Sequence, residues 1–171
     1  MALKTRITEL LEIEHPIVQG GMMNVGYAEM ASAVSNAGGL GIITAHCFRE
    51  PQQLRDDIRR ARSMTDKPLG VNLSIGFVPQ VDAMLDAALS EGIKVIETSV
   101  FRASEYGARA KSAGARWIHK VASVEHAIAA EREGADAVVI VGLEGIGFKH
   151  TSQLPTMVSI AWAVRQIKVP V

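Results

Sequence analysis

Short, unbroken apolar runs recur along this chain, and polar or glycine-rich segments separate them from amphipathic stretches. The clearest run covers 137–141 (AVVIV), and the loop after it, 142–150, carries three glycines, a carboxylate, a lysine and a histidine. A β-branched run without polar interruption predicts a strand buried on both faces, as in a parallel sheet. Ligands bind where parallel strands end, so the pattern predicts both an architecture and the edge that carries the chemistry.

Six such runs and the start of a seventh follow one another at intervals of 21 to 30 residues, measured between their central positions. The predicted strands are 15–19, 41–44, 68–73, 94–98, 116–121, 137–141 and the opening 169–171. Helical periodicity predicts helices at 27–36, 50–64, 81–91, 104–113, 123–133 and about 156–167, after a short entry segment at 3–14.

A regular βα repeat has right-handed crossovers, which predicts an α/β fold of the (β/α)8 TIM-barrel type. A complete barrel takes about 250 residues, so we expect these 171 residues to form a single, incomplete barrel domain of about six βα units. Two sheet edges would stay open. We therefore expect more polypeptide, from a longer protein, a homo-oligomer or a completing chain, to close the sheet.

Charge and cysteine content narrow the class of protein. The 18 basic and 18 acidic residues cancel, so no long-range field would attract nucleic acid or an anionic membrane. Cys47 is the only cysteine, which excludes an intrachain disulfide and favours a reducing compartment. The N-terminus lacks the apolar core of a signal peptide, and no run of about 18 apolar residues occurs. We expect a cytoplasmic protein with a small-molecule substrate.

Candidate chemistry follows the first and third predicted strands. Gln19-Gly20-Gly21-Met22-Met23 leaves backbone accessible and adds two thioethers, which suits a flat apolar ring; a tight turn with two core methionines explains it equally simply. Asn72 is a polar residue at the end of an apolar strand. Its amide would bond either the edge of a heterocycle or a neighbouring loop.

The fifth and sixth predicted strands carry the charged candidates. Alternation along the strand directs one of His119 and Lys120 into the barrel and the other outward. If Lys120 is the inward residue, its ammonium needs an anion or a polarised carbonyl as a partner. If Lys120 is the outward residue, it reaches solvent. In the loop 142–150, Glu144 and His150 would perform acid–base chemistry, or they are a solvated side chain and a helix cap. No phosphate-binding loop signature, nucleophile elbow or metal-ligand spacing occurs.

Five segments resemble the nitronate monooxygenase (2-nitropropane dioxygenase-like) family of FMN-dependent TIM barrels. They are 15–22 (HPIVQGGM), 33–41 (AVSNAGGLG), 70–73 (GVNL), 118–121 (IHKV) and 134–138 (GADAV), of which 33–41 is the most specific. The resemblance implies FMN close to the following residues: Gln19, Gly20, Gly21, Met22, Met23, Asn72, Lys120, Gly142 and Gly147. It also implies oxidation of alkyl nitronates with O2, or, as in some relatives, NAD(P)H-dependent quinone or enoyl reduction.

Two departures from the family pattern matter. Family members carry a catalytic histidine directly after the glycine of the sixth loop, whereas here Gly147 precedes Phe148 and the nearest histidine is His150. His150 becomes the candidate catalytic base, provided that the loop bends differently, and Phe148 is a candidate for stacking on substrate. The strands that would hold the FMN phosphate are missing, so we expect this chain alone to bind FMN weakly.

These inferences leave three functions open. The first is an FMN-dependent oxidoreductase of the nitronate monooxygenase type, and the second is an NAD(P)H-dependent quinone or enoyl reductase on the same barrel. The third is a non-catalytic half-barrel that serves binding or assembly.

Overall fold

The computed structural model describes residues 3–147, 149–151 and 154–171. Its strands are β1 (Gly41–Thr44), β2 (Leu69–Ser74), β3 (Val95–Ser99), β4 (Arg116–Val121) and β5 (Ala137–Ile140). Its helices are α1 (Arg6–Leu11), α2 (Ala28–Asn36), α3 (Pro51–Met64), α4 (Val81–Ser90), α5 (Ser104–Ser112), α6 (Val124–Arg132) and α7 (Thr156–Ala163), with a 3-10 turn at Ala45–Cys47. In the described ranges, no helix has the length and apolar character needed to cross a membrane.

The five strands form one parallel sheet in sequence order. Residues paired in register carry their side chains on the same face of a sheet. The pairing aligns Thr44 with Asn72, Asn72 with Glu97, and Ser99 with Lys120. The register thereby gathers polar side chains from four successive strands on one face, towards the carboxyl ends of the strands.

The two faces of the sheet bury different apolar clusters. Helices cover the outer face, where Ile43, Val71, Ile96 and Trp117 join the larger core. On the inner face, Leu11 and Ile13 pack with residues of four strands, namely Ile42, Val95, Ile118 and Ala137. The helix α1 and the residues after it therefore close the amino-terminal end of the inner face, and the polar layer lies beyond this apolar plug.

Helix α1 was not predicted as a helix, because its start signal is unusual. Thr5 and Thr8 form a reciprocal capping box, in which threonine replaces the glutamate or glutamine that marks this motif in most sequences. The N-cap of α6 was predicted at Ser123 and is confirmed, since the Ser123 hydroxyl accepts a hydrogen bond from the His126 backbone N–H at 3.2 Å.

The strand predicted at 15–19 was wrong as a regular strand. Only Val18 pairs, through one parallel bridge to Leu40. Pro16 has no N–H to donate, and the N–H groups of Glu14 and His15 both bond to the Gly38 carbonyl, which turns the chain away from the ladder. The segment 169–171 likewise forms no strand in the described residues, although Val138 N donates to Pro170 O at 3.0 Å.

Close backbone packing explains the glycines of the segment 33–41. Gly38 has a φ of +90°, which a side chain tolerates poorly. A Cβ on Gly39 would lie 2.9 Å from the Ile17 carbonyl oxygen, and one on Gly41 would overlap the Ala31 backbone. These glycines let α2 and the 15–19 segment lie against β1, so this part of the family pattern is structural.

Replacing Gly41 with alanine should force α2 away from β1, because the obstacle is the backbone of Ala31, which cannot rotate aside. We expect a loss of about 3 kcal/mol in the free energy of unfolding, measured by urea denaturation. The control is Gly20→Ala, where a Cβ meets nothing within 4 Å and where we expect a change below about 0.5 kcal/mol. Equal effects would contradict this packing explanation.

Candidate active site

A cavity of about 410 Å³ opens at the carboxyl ends of the strands. Fifteen residues line it: Gly21, Met23, Thr44, His46, Asn72, Ser74, Phe77, Ser99, Val100, Lys120, Val121, Ala122, Val141, Ile146 and Gly147. They come from the glycine-rich segment after 15–19, from the carboxyl ends of β1, β2, β3 and β4, and from the loops that follow β1 to β5. A cavity therefore forms at the sheet edge that the strand pattern predicted.

Hydrogen bonds to Thr44 hold the glycine-rich loop against the end of β1. The Thr44 hydroxyl accepts a hydrogen bond from Met22 N at 2.8 Å, and Thr44 N donates to Gly26 O at 2.8 Å. Gly21 lies so close to Asn72 that a Cβ on it would be 2.5 Å from the Asn72 Cγ. Glycine at position 21 is thus required by a side chain of the protein.

A buried carboxylate lies beside the cavity. Glu97 is 4% exposed, and its Oε2 accepts a hydrogen bond from Asn72 Nδ2 at 2.5 Å. Asn72 also bonds Ser74 and Ser99, so the amide connects Glu97 with two hydroxyls that face the cavity.

Burial raises the pKa of Glu97 from 4.5 to about 7, against the opposing effects of the Asn72 hydrogen bond and the charge of Lys120. A carboxyl with such a pKa changes its charge near neutrality. Perturbed carboxyls beside a cavity are typical of functional sites. Glu97 was not a sequence candidate, although strand alternation in KVIETS directs it to the same face as Ser99.

Alternation along β4 separates the two candidates His119 and Lys120. Lys120 lines the cavity, and a Cβ on Gly147, whose φ is +110°, would lie 3.6 Å from its Nζ. His119 lies on the outer face beside Trp117, with its Nδ1 2.8 Å from Thr98 Oγ1. Burial lowers the pKa of His119, which favours the neutral imidazole there.

The structure brings together five of the ten candidates: Gly21, Met23, Asn72, Lys120 and Gly147. Four others do not line the cavity, namely Gln19, Gly20, Met22 and Gly142. Gln19 Nε2 donates to Ile42 O at 2.8 Å, and its Oε1 is the only buried side-chain polar atom without a partner in the described part of the chain. A Cβ on Gly142 would overlap Thr156, so that glycine serves the approach of α7.

His150, the candidate base, lies in a neighbouring cavity of about 510 Å³, which His119, His126 and Lys149 also line. The two cavities share the wall formed by Val100, Lys120, Val121 and Ala122, but His150 lines only the second. Its ring packs edge-on against His126 with centroids 5.4 Å apart. Phe148 lies outside the described residues. Within those residues, no group of histidine, cysteine, aspartate and glutamate side chains has the geometry of a metal site.

Glu144 has a structural role. Its Oε2 accepts hydrogen bonds from Thr156 N at 2.9 Å and Thr156 Oγ1 at 2.7 Å, so it caps α7 from across the loop. These hydrogen bonds lower the pKa of Glu144. The alternative of a solvated side chain was therefore incomplete for Glu144, which is exposed but bonds to Thr156.

His46 is the histidine of this cavity, and it was not among the candidates predicted from the sequence. It follows β1 in the 3-10 turn, and its ring lies 6.3 Å from that of Phe77. Among the described histidines, His46 alone lines the 410 Å³ cavity. The signal was its place directly after a predicted strand, as with Asn72.

A parallel βα sheet with a polar-floored cavity at its carboxyl edge defines an α/β-barrel enzyme scaffold. The chain belongs to the nitronate monooxygenase family, which it matches over residues 4–171. A dehydrogenase from Mycobacterium tuberculosis, which acts on a hydroxy-methyl-oxo-octahydroindene carboxyl-CoA, is 37% identical over 100% of this chain and 48% of its own length. A probable nitronate monooxygenase from Staphylococcus aureus is 29% identical over 92% of this chain and 56% of its own.

Solved structures agree on the fold. FabK from Thermotoga maritima superposes with a TM-score of 0.92 at 38% identity, covering 98% of this chain and 53% of that one. A nitroalkane oxidase from Streptomyces ansochromogenes, at 23% identity, has a TM-score of 0.80 over 97% of this chain and 59% of that one. The predicted α/β fold of the TIM-barrel type is confirmed, in incomplete form. The chain spans about half the length of the curated relatives it matches.

The raised pKa of Glu97 makes the stability of the chain depend on pH. Below about pH 4.5 the carboxyl is protonated in both folded and unfolded chains; between there and about pH 7 only the folded chain keeps the proton, so its stability falls as pH rises. We expect Glu97→Gln to raise the free energy of unfolding by about 3 kcal/mol near pH 8 and to change it little near pH 4.

Chemical denaturation across this pH range measures the effect. Glu144→Gln is the matched control, with an expected effect of opposite sign. The lowered pKa of Glu144 means that its ionised form stabilises the fold at high pH. The substitution should therefore destabilise the chain at high pH and lose this effect as pH falls. A Glu97→Gln variant that is less stable than the parent at pH 8 would contradict this prediction, because it would show that neighbouring groups stabilise the ionised carboxylate.

Proposed function

We propose that this chain is part of an FMN-dependent oxidoreductase that acts on the carbon skeleton of an acyl-CoA thioester. The observation that carries the proposal is the cavity in which Gly21, Asn72 and Lys120 meet at the carboxyl ends of the strands. The substrate class follows the dehydrogenase of 37% identity, whose substrate is a CoA thioester. NAD(P)H is the proposed electron donor where the reaction runs as a reduction.

The residues present fit a flavin ring. The cavity volume of about 410 Å³ lies in the range of cofactor pockets. Met23, Phe77 and Val141 supply apolar surface, and Gly21 and Gly147 leave backbone open beside it. Asn72 and Lys120 add donors for carbonyl or anionic oxygens. Bound FMN would supply two-electron redox chemistry in the form of hydride transfer.

Lys120 stabilises negative charge at the cavity wall, either on a reduced ring or on a substrate oxygen. Its ammonium stands on the same face as Glu97, whose charge it partly balances. Met23 and Phe77 add apolar surface to the cavity that holds this charge.

We assign the proton transfer that accompanies hydride transfer to His46. A general base must lie within reach of the reacting group, and His46 lines this cavity whereas His150 lines another. A ring nitrogen of His46 accepts the proton of a substrate C–H bond in the oxidative direction and returns it in the reductive one.

Oxidation of an alkyl nitronate by O2 is the second candidate. The family match and the relatives from Staphylococcus aureus favour it. A nitronate is an anion that has already lost its carbon-bound proton, so it needs Lys120 more than it needs a base. A homo-oligomer or a completing chain that closes the barrel remains part of this proposal for either substrate.

Lys120→Met should weaken FMN binding by about tenfold, because it removes a charge-assisted contact from the cavity. Flavin fluorescence quenching during titration with the chain measures the dissociation constant. Lys149→Met is the matched control, since Lys149 Nζ bonds to Leu143 O at 2.7 Å and lies in the other cavity. Equal weakening in both variants, or no FMN binding by the parent chain, would contradict the assignment.

His46→Gln should lower kcat by about 10²-fold or more in the NADH-dependent reduction of crotonyl-CoA by the FMN-loaded protein. His150→Gln should leave kcat within about twofold, because that side chain lies outside the cavity. Turnover of propyl nitronate with O2, and none of crotonyl-CoA, would favour the second candidate. Loss of activity in His150→Gln alone would return the base to position 150.

A further inference from the structure

Three cavity-lining side chains form a closed cycle of hydrogen bonds. Asn72 Nδ2 donates towards Ser99 Oγ at 3.5 Å, Ser99 Oγ donates to Ser74 Oγ at 3.1 Å, and Ser74 Oγ donates to Asn72 Oδ1 at 3.3 Å. All three residues line the cavity. Each hydroxyl both donates and accepts, so the cycle can run in either direction, and something outside it must select one.

Glu97 is that external group. It touches the cycle only at Asn72, where its Oε2 accepts from Nδ2 at 2.5 Å. An ionised carboxylate can only accept hydrogen bonds, so it holds the amide with Nδ2 towards β3 and Oδ1 towards Ser74. A protonated carboxyl can also donate a hydrogen bond. It can therefore pair with the Asn72 amide after a half rotation, which places Oδ1 towards Glu97, and the cycle can then run in the opposite direction.

We infer that Glu97 is a positioning residue: in its ionised form it fixes the orientation of the Asn72 amide and thereby the direction of the Asn72–Ser99–Ser74 cycle along the cavity wall. Glu97 does not line the cavity. It therefore acts on a bound molecule only through Asn72, and protonation releases the constraint without moving the backbone.

The surroundings of Glu97 make this release accessible near neutrality. Its raised pKa of about 7 comes mainly from burial, and Lys120 of β4 is the neighbouring charge that opposes the shift. The neighbour on β2 is the uncharged Asn72, and the residues below it on the inner face are apolar. His46 and Lys120 are the ionisable side chains that line the cavity itself.

The direction of the cycle decides what the wall offers to a ligand. The pyrimidine edge of a flavin has carbonyl acceptors and an N–H donor, so a wall that presents a fixed set of donors and acceptors recognises one placement of that edge. This consequence rests on the proposed function, whereas the orientation of Asn72 by Glu97 does not require a flavin.

Nitrogen–proton correlation spectra of the isotope-labelled, flavin-free chain test the orientation. The Asn72 side-chain amide signals, assigned by their disappearance in Asn72→Ala, should shift between about pH 5 and about pH 9 with a midpoint at the Glu97 pKa of about 7. In Glu97→Gln, whose side chain does not titrate, they should stay constant. Signals that do not move in the parent chain, or that still titrate in Glu97→Gln, would overturn the inference.

Two matched variants separate this effect from its alternatives. His46→Gln should keep the midpoint, because its imidazole is not the group that holds Asn72; loss of the titration there would assign the effect to His46 and overturn the inference. Ser74→Ala breaks the cycle at its far side and leaves the contact between Asn72 and Glu97 intact. The Asn72 signals should therefore still titrate, and their failure to do so would also contradict the inference.

FMN titration is the second arm. The dissociation constant of the parent chain should change by about fivefold across pH 7, the equivalent of one neutral hydrogen bond, and that of Glu97→Gln should not change. A titrating Asn72 amide with no FMN binding would reject the proposed function and keep the positioning role. FMN binding together with an Asn72 amide signal that does not change with pH would keep the proposed function and reject the positioning role of Glu97.

Discussion

Parallel pairing in strict sequence order is the constraint on which the rest of this molecule depends. It points all five strands the same way, so the loops that follow them meet at one edge. The register then aligns Asn72 with Glu97 and Ser99 with Lys120, and each aligned pair shares a face. An offset of one residue in any strand would turn its polar side chains to the helix-covered face, where Trp117 and Leu54 are fully buried.

The inner face stacks an apolar layer beneath a polar one. Leu11 and Ile13 pack against the strand starts in the lower layer. Glu97 is buried in the polar layer, and this burial raises its pKa. In the polar layer, the Asn72 amide donates a hydrogen bond to Glu97 and accepts one from the Ser74 hydroxyl. A buried carboxyl held this way is costly for stability, and sites with such a cost are commonly functional.

Apolar side chains stay exposed along the last part of the sheet. Val139 is 39% exposed although its neighbours in β5 are buried, and on α7 Met157 is 83% exposed. Surfaces of this kind usually contact further protein, and the relatives are about twice as long as this chain. The expectation that additional polypeptide closes the barrel is consistent with this surface and stays a prediction.

Hydrophobic periodicity, together with the glycine and proline residues between the periodic segments, was enough to predict the βα repeat and most helix boundaries. It also predicted the sheet edge that carries the cavity. These patterns are local because burial on one face of each element dictates them. The same pattern singled out Gly21, Asn72 and Lys120 at strand ends, and the family resemblance assigned them to FMN. Only the tertiary structure could separate His46, inside the cavity, from His150, outside it, because a loop's path depends on distant contacts such as that of Glu144 with α7. The raised pKa of Glu97 likewise became visible only in the tertiary structure, because desolvation depends on the packed core and no local sequence pattern encodes it.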